Sequence, residues 1–411
     1  MEKVYSGALV ILLLGFGLTT FAQNQAPRIV IDPKGHAAKV NSLLYTPDGD
    51  HIISVSEDKT IRVWESSSGD LLNKFELEIG DGYEGMPYAA TISPDGKLLA
   101  IAGYPVSSHE ENYIVIIDVL KETQIAIAVG HENVINGLGF TADGRHLISA
   151  GDDGIIKIWS VSTGNFEEKA SIEVGLPVAG LSVNLSNGRV AIATRDQNVL
   201  IYDLSGIDGN RDNYPSFALK KHKEVINKVC YSPDGKYLAS CSFNNDLIVW
   251  DNNGEIIFQK EEFDFPLNAL AFSYDSKVLV ALDVVGRGFS FGLPGGILHT
   301  SDFVSHDNTV FSAVFSPQSA RGNYVVASSG GTRNEIITWN AISAKTINTI
   351  TGMGNFIGGL TFGKGMELFI STDFADGPVT KYQYSFDFNT FEIAKNPTLI
   401  PGQKKREGAK R

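Results

Sequence analysis

Few residues in this chain have the types and spacing that could do chemistry, and they are scattered. Gly288-Phe289-Ser290-Phe291-Gly292 has the spacing of a hydrolase nucleophile elbow, which exposes its serine at a sharp strand-to-helix turn. Leu293-Pro294-Gly295-Gly296 follows where the helix would have to begin, so Ser290 reads as a strand residue and not as a nucleophile. Asp208-Gly209-Asn210-Arg211-Asp212 places oxygen-bearing side chains at alternate positions, as calcium loops do. It lacks the later Glu and puts Arg211 among the ligands, which favours a solvated connection. Of the eight histidines, His51, His109, His146 and His299 have no metal-ligand spacing. No phosphate loop, paired-cysteine motif or amphipathic membrane helix occurs, so no catalytic residue, cofactor or metal is expected. Cys230 and Cys241 would be diagonal neighbours if Tyr231 pairs with Leu238, near the upper limit for a bridge; two buried thiols and a disulfide both remain open.

The elements that would position such groups announce themselves through four tryptophans, Trp64, Trp159, Trp250 and Trp339, spaced 95, 91 and 89 residues apart. Before each of the first three, a His stands 28 residues upstream and a Ser 10 upstream: His36/Ser54, His131/Ser149 and His222/Ser240. The position six before the Trp is Asp58, Asp153 and then Asn244. Around Trp64 the chain runs through Thr46-Pro47-Asp48-Gly49, His51 to Ser56, Glu57-Asp58-Lys59 and Thr60 to Trp64. Short apolar or alternating runs between such turns are consecutive antiparallel strands. The turn landmarks Asp48, Asp95, Asp143, Asn187, Asp234 and Asp275, continued near Gln318 and Lys364, recur every 41 to 48 residues. A period of ~40–45 residues with four strands per unit predicts an all-β single propeller of about eight blades, seven being the alternative.

With these residues in view, the chain resembles the WD40-repeat β-propeller family, over roughly residues 28–395 and most strongly in repeats one, three and five. The resemblance implies that His36, Ser54, Asp58 and Trp64 form a buried hydrogen-bonded set, as do His131, Ser149, Asp153 and Trp159. Repeat five, with His222, Ser240 and Trp250, departs by carrying Asn244 at the acid position, and repeat seven keeps His306 and Trp339 but has Arg333 there. Arg28-Ile29-Val30-Ile31-Asp32 would supply the strand that completes the last blade, with Phe391 to Lys395 as the competitor.

A formal charge of −13 argues against nucleic-acid binding, which needs a basic face. Residues 1–22 read as a signal peptide: Lys3, an apolar stretch from Ala8 to Phe16, then Thr20-Phe21-Ala22. The expectation is therefore a monomer exported to a periplasm or the outside, without stable membrane insertion, although many WD40 relatives are intracellular. Residues 23–395 would form the propeller and 396–411, with Lys404-Lys405-Arg406, a basic disordered tail.

Function is expected to be that of a non-catalytic scaffold binding a protein or peptide; the alternative is an enzyme or small-ligand propeller with a central-channel site. First-strand residues Val40, Leu43, Ile135, Leu138, Ile226, Val229, Leu267 and Leu270 supply no convergent acid or base, which favours the scaffold. In the WD40 arrangement one face gathers the loops before first strands and those between second and third strands. It would carry Met86, Tyr88, Phe265 and Phe356, with Leu176, and also Tyr104, Arg195, Phe243, Arg287, Arg333 and Phe374. Aromatic, Met and Arg side chains are the composition of interaction hot spots. The three arginines suggest an acidic partner, and replacing Arg195 and Arg287 is expected to leave the melting temperature alone.

Overall fold

The computed structural model describes residues 35–400 apart from 78–81, 106–111, 120, 122, 163–164, 210–213, 305, 319–322, 352–356, 363–366, 373–379, 388–391 and 394–397. The chain divides into two compact units, residues 32–356 and residues 1–31 with 357–411. Among the described residues there are strands and turns and no helix, so none could cross a membrane as a helix.

Alternation along each run and a Gly, Asn or Asp turn after it give four consecutive antiparallel strands per sheet. Residues 32–356 hold seven such sheets, over 40–76, 87–131, 135–173, 178–220, 226–260, 267–304 and 310–350, each in sequential order from the innermost strand outward. These are blades 1 to 7. The tight turn between second and third strands needs a left-handed residue, and Lys59, Gly154 and Asn245 take it with φ of 63, 71 and 60°. All seven first strands lose register by one residue near their start, for example between Val40 and Ser42, which bends the inner edge.

The core lies between blades rather than within them. Each neighbouring pair shares one apolar cluster: Ile53, Val55 and Ile61 of blade 1 meet Leu99, Ile101 and Tyr113 of blade 2. Trp159 of blade 3 packs against Ala100, Ala102 and Ile114 of blade 2. A seventh cluster joins Val40, Leu43, Tyr45, Ile52 and Trp64 of blade 1 to Ala327 and Ile336 of blade 7. The ring is thereby closed at seven blades, not eight, and ends at Ile350 rather than near residue 395.

Closure also corrects the expected sharing of a terminal strand. Blades 1 and 7 each take all four strands from their own stretch of chain. Side chains make the seam: Ser329 Oγ donates to Val40 O at 2.8 Å, Leu43 N donates to Ser312 Oγ at 3.2 Å, and Gln318 Nε2 and Asn348 Nδ2 each donate at 2.7 Å to Asp48 O and Ser67 O. Residues 28–34 lie outside the described residues. Glu392–Ile393 pairs with Phe386 and Asp387 in a separate five-stranded sheet spanning 357–400, where Thr398–Ile400 also pairs with Lys381 to Gln383. Deleting residues 23–33 should therefore leave the melting temperature of the ring unchanged; a large drop would mean that these residues contribute a strand to it.

Candidate functional site

Each odd blade buries one histidine between a serine and an acid. His36 Nε2 lies 2.6 Å from Ser54 Oγ, Trp64 Nε1 donates to the same oxygen at 2.7 Å, and His36 Nδ1 reaches Asp58 at 2.9 Å. In blade 3 the corresponding distances are 2.7 Å for His131 to Ser149, 2.8 Å for Trp159 to Ser149 and 2.6 Å for His131 to Asp153. An ionised carboxylate can only accept, so Nδ1 carries the proton, the neutral Nε2 accepts from the serine hydroxyl, and the serine oxygen accepts from the Trp.

Blade 5 does not use Asn244. Its acid is Asp246, with His222 Nδ1 at 2.7 Å, while Ser240 takes His222 at 2.7 Å and Trp250 at 2.8 Å. Blade 7 likewise uses Glu335, 3.2 Å from His306 Nδ1, with Ser328 between His306 at 2.9 Å and Trp339 at 3.1 Å. Both acids stand two residues after the expected turn position, four before their Trp. The equivalent Thr60 Oγ1 lies 3.3 Å from His36 Nδ1, so the two positions look at the same nitrogen. Ser328 is 11 rather than 10 residues before its Trp because the turn of blade 7 holds one extra residue, yet it still pairs with the residue two before the Trp.

Serine–histidine–acid contacts of this kind serve nucleophilic catalysis elsewhere. Here Ser54, Ser149, Ser240 and Ser328 are completely buried, and each oxygen already accepts a Trp N–H, so no substrate carbonyl can reach them. Ser290 is equally buried, inside the third strand of blade 6. Asp208 is engaged by Arg145 at 2.9 Å and His146 at 3.5 Å, and among the described residues no three metal-ligating groups converge. Both cysteines are free thiols, Cys230 opposing Ala239 and Cys241 opposing Lys228, and burial pushes their pKa values up to about 11 and about 12.

Burial lowers the pKa of His36, against the opposing pull of Asp58. Burial alone would raise the carboxyls of Asp58, Asp153 and Asp246, but the histidine N–H and neighbouring donors outweigh it and hold all three below the usual range. Both kinds of shift have one sign: the unfolded chain binds more protons. Stability should be full above about pH 6.5, begin to fall as unfolded His36 titrates, and fall faster below about pH 4 as the carboxylates do. Melts between pH 7.5 and 3.5 check this, and a flat profile would contradict it.

The loop face carries the aromatic tips. Tyr104 is 40% exposed and packs at 6.3 Å, ring centre to ring centre, on Tyr83, which is 69% exposed and which sequence reasoning missed. Met86 and Tyr104 border a small cavity of about 30 Å³ with Pro87, Gly103 and Asn112. Tyr88 is half-buried beside them, and burial, followed by Glu57 and the neighbouring tyrosines, raises its pKa. Phe243, Phe265 and Leu176 are exposed on later blades. Phe356 and Phe374 lie outside the residues whose side chains are described.

The arginines differ from expectation. Arg195 grips Asp152 of blade 3 through Nε at 2.9 Å and Nη2 at 3.1 Å. Arg287 binds the buried Asp283 at 2.8 Å and Asp264 at 2.9 Å and lies over Phe265. Arg333 is exposed and near enough to Asp307 to help hold its carboxyl ionised. At Arg195 and Arg287 the charge is spent within the ring, so the inference of an acidic partner from the arginines does not survive. The eight first-strand residues thought to face the channel instead belong to interblade clusters, among them Val40 and Leu43.

The WD domain, G-beta repeat family model matches residues 28–65, 122–160 and 213–251. The chain is 23% identical over 289 residues to Periodic tryptophan protein 2 of Saccharomyces cerevisiae, covering 57% of this chain and 31% of that protein. Against Apoptotic protease-activating factor 1 of Rattus norvegicus it is 23% identical over 356 residues, 78% of this chain and 27% of the relative. Target of rapamycin complex subunit wat1 of Schizosaccharomyces pombe is 23% identical over 243 residues, 48% of this chain and 73% of the subunit. The chain thus spans about a third or less of the two larger proteins. Each matched segment ends on the strand whose tryptophan closes a buried histidine set, so the chain carries three WD40 repeats within a seven-bladed β-propeller.

Proposed function

We propose that the ring is a non-catalytic scaffold that binds a protein or peptide through the face carrying the histidine turns, centred on blade 2. The observation that carries this reading is the exposed Tyr83–Tyr104 pair at the lip of the Met86 cavity. Large aromatic rings held together in water gain most by being covered by a partner. The wat1 relative is named as a complex subunit, which supports a role in assembly. We also propose export, on the strength of the apolar segment before Gln23.

Crosslinked capture from the native envelope fraction, compared between wild type and a Tyr83→Ala/Tyr104→Ala variant, tests the first proposal. Partner recovery should fall by more than about tenfold, equivalent to 1.4 kcal/mol, with the melting temperature unchanged. Undiminished capture would move the site to the rim or the opposite face. An amino terminus at Gln23 in the recovered protein would support export; an intact Met1 would refute cleavage.

A further inference from the structure

The aromatic lip of blade 2 favours one sign of charge. The turn from Tyr83 to Met86 is clamped to the residue that follows the second strand of the blade: Gly85 N donates to Tyr104 O at 3.2 Å and Tyr104 N to Met86 O at 2.9 Å. This holds the exposed Tyr83 and Tyr104 rings 6.3 Å apart at an interplanar angle of 45°. Tyr88, next to Pro87 on the innermost strand, is half-buried; burial raises its pKa, and Glu57, Tyr104 and Tyr83 lie near enough to add to the shift. The cavity at this lip, about 30 Å³, has room for a water and not for a side chain. A partner therefore meets phenol rings at the surface rather than a slot.

Glu57 of blade 1 borders the rings. Asn41 Nδ2 donates to Glu57 Oε1 at 3.3 Å and to Pro87 O at 3.0 Å, which fixes the acid beside the start of the blade 2 inner strand. Lys39 also approaches Oε1, at 3.5 Å, and no described residue takes Oε2. The half-exposed Lys39 ammonium lies at the same time 5.2 Å from the centre of the Phe311 ring. The chain's own cation thus already uses this acid together with an aromatic ring. Ring faces are negative and attract cations, whereas they repel anions. The net charge of −13 acts in the same direction at long range.

We propose that the occupant of this site is a basic segment of a partner, which lays a lysine or arginine side chain on the Tyr83, Tyr88 and Tyr104 rings with Glu57 as its counter-charge. The assignment rests on the reading that blade 2 carries the partner face, and adds the sign of charge that the face selects. Binding is to be measured at physiological ionic strength, where the long-range field of the whole chain is screened and the local contacts remain.

The test uses the full chain and short fluorescent glycine–serine peptides that carry several arginines, lysines, citrullines or glutamates. Anisotropy should show binding of the arginine or lysine peptide and not of the citrulline or glutamate peptide. Tyr83→Ala/Tyr104→Ala should weaken that binding about fivefold or more, the scale of a lost cation–ring contact. Glu57→Gln should weaken it about threefold, and Lys39→Met, which removes the competing ammonium and keeps the stem, should tighten it about threefold, the scale of an exposed charge pair. Melting curves check that each variant is folded. Binding of basic peptides that ignores these substitutions is attraction to an acidic protein and overturns the proposal, as does a preference for the glutamate peptide. Capture of the native partner that is lost in Tyr83→Ala/Tyr104→Ala but not competed by the arginine or lysine peptide would overturn the basic segment and leave the aromatic face standing. Capture indifferent to the tyrosines would remove the face itself.

Discussion

Alanine in place of Trp159 should destabilise the ring by about 3–5 kcal/mol, the range for truncating a buried large aromatic. The indole is almost fully buried and belongs to the cluster that joins blade 3 to blade 2, so its loss opens an interface and not only a blade. It also deprives Ser149 of the N–H that the hydroxyl accepts at 2.8 Å. His131→Ala should act through the other half of the set, leaving Asp153 and Ser149 with unmet partners at a cost of about 1–3 kcal/mol. The two losses should be less than additive in the double variant, because the residues share Ser149. Chemical denaturation measures all three, and a Trp159→Ala protein as stable as wild type would remove the structural role assigned to the set.

Arg287→Ala should lower stability by about 2–3 kcal/mol, since breaking a buried pair leaves its partner's charge uncompensated. Asp283 is wholly buried and keeps only the backbone N–H groups of Val285 and Arg287 once the guanidinium is gone. Asp264 is largely exposed and can return to water, so it should contribute little. Arg195→Ala is the control: its partner Asp152 is part-exposed and also accepts from Asn136, and the loss should stay within about 1 kcal/mol. Equal melting of the two variants would show that burial of Asp283 does not set the difference.

The repeat was legible because each unit solves the same local problem. A Trp and a His that are buried need polar partners at fixed strand positions, so their spacing survives in the sequence. Strand pairing followed the turn residues, down to Cys230 opposite Ala239. What stayed hidden was set by three-dimensional neighbours. No residue announces that Trp64 will meet Ala327, some 260 positions away, and without that contact seven and eight repeats look alike. Asp246 and Glu335 were passed over because two positions, not one, look at the histidine nitrogen; an acid four residues before the Trp was the available signal. Arg195 and Arg287 were read as free charge because their acids come from elsewhere, Asp152 from the previous blade and Asp264 from the loop before the blade.

In blades 1, 3, 5 and 7 a histidine set alternates with blades that have none. Two kinds of unit cannot alternate perfectly around an odd-numbered circle: one junction must bring like against like. Trp159, Trp250 and Trp339 each lean on a preceding blade of the other kind, but Trp64 leans on blade 7, which is of its own kind. The seam is thus the single parity defect of the ring. It is the one junction where the two-blade pattern has to break for the circle to close.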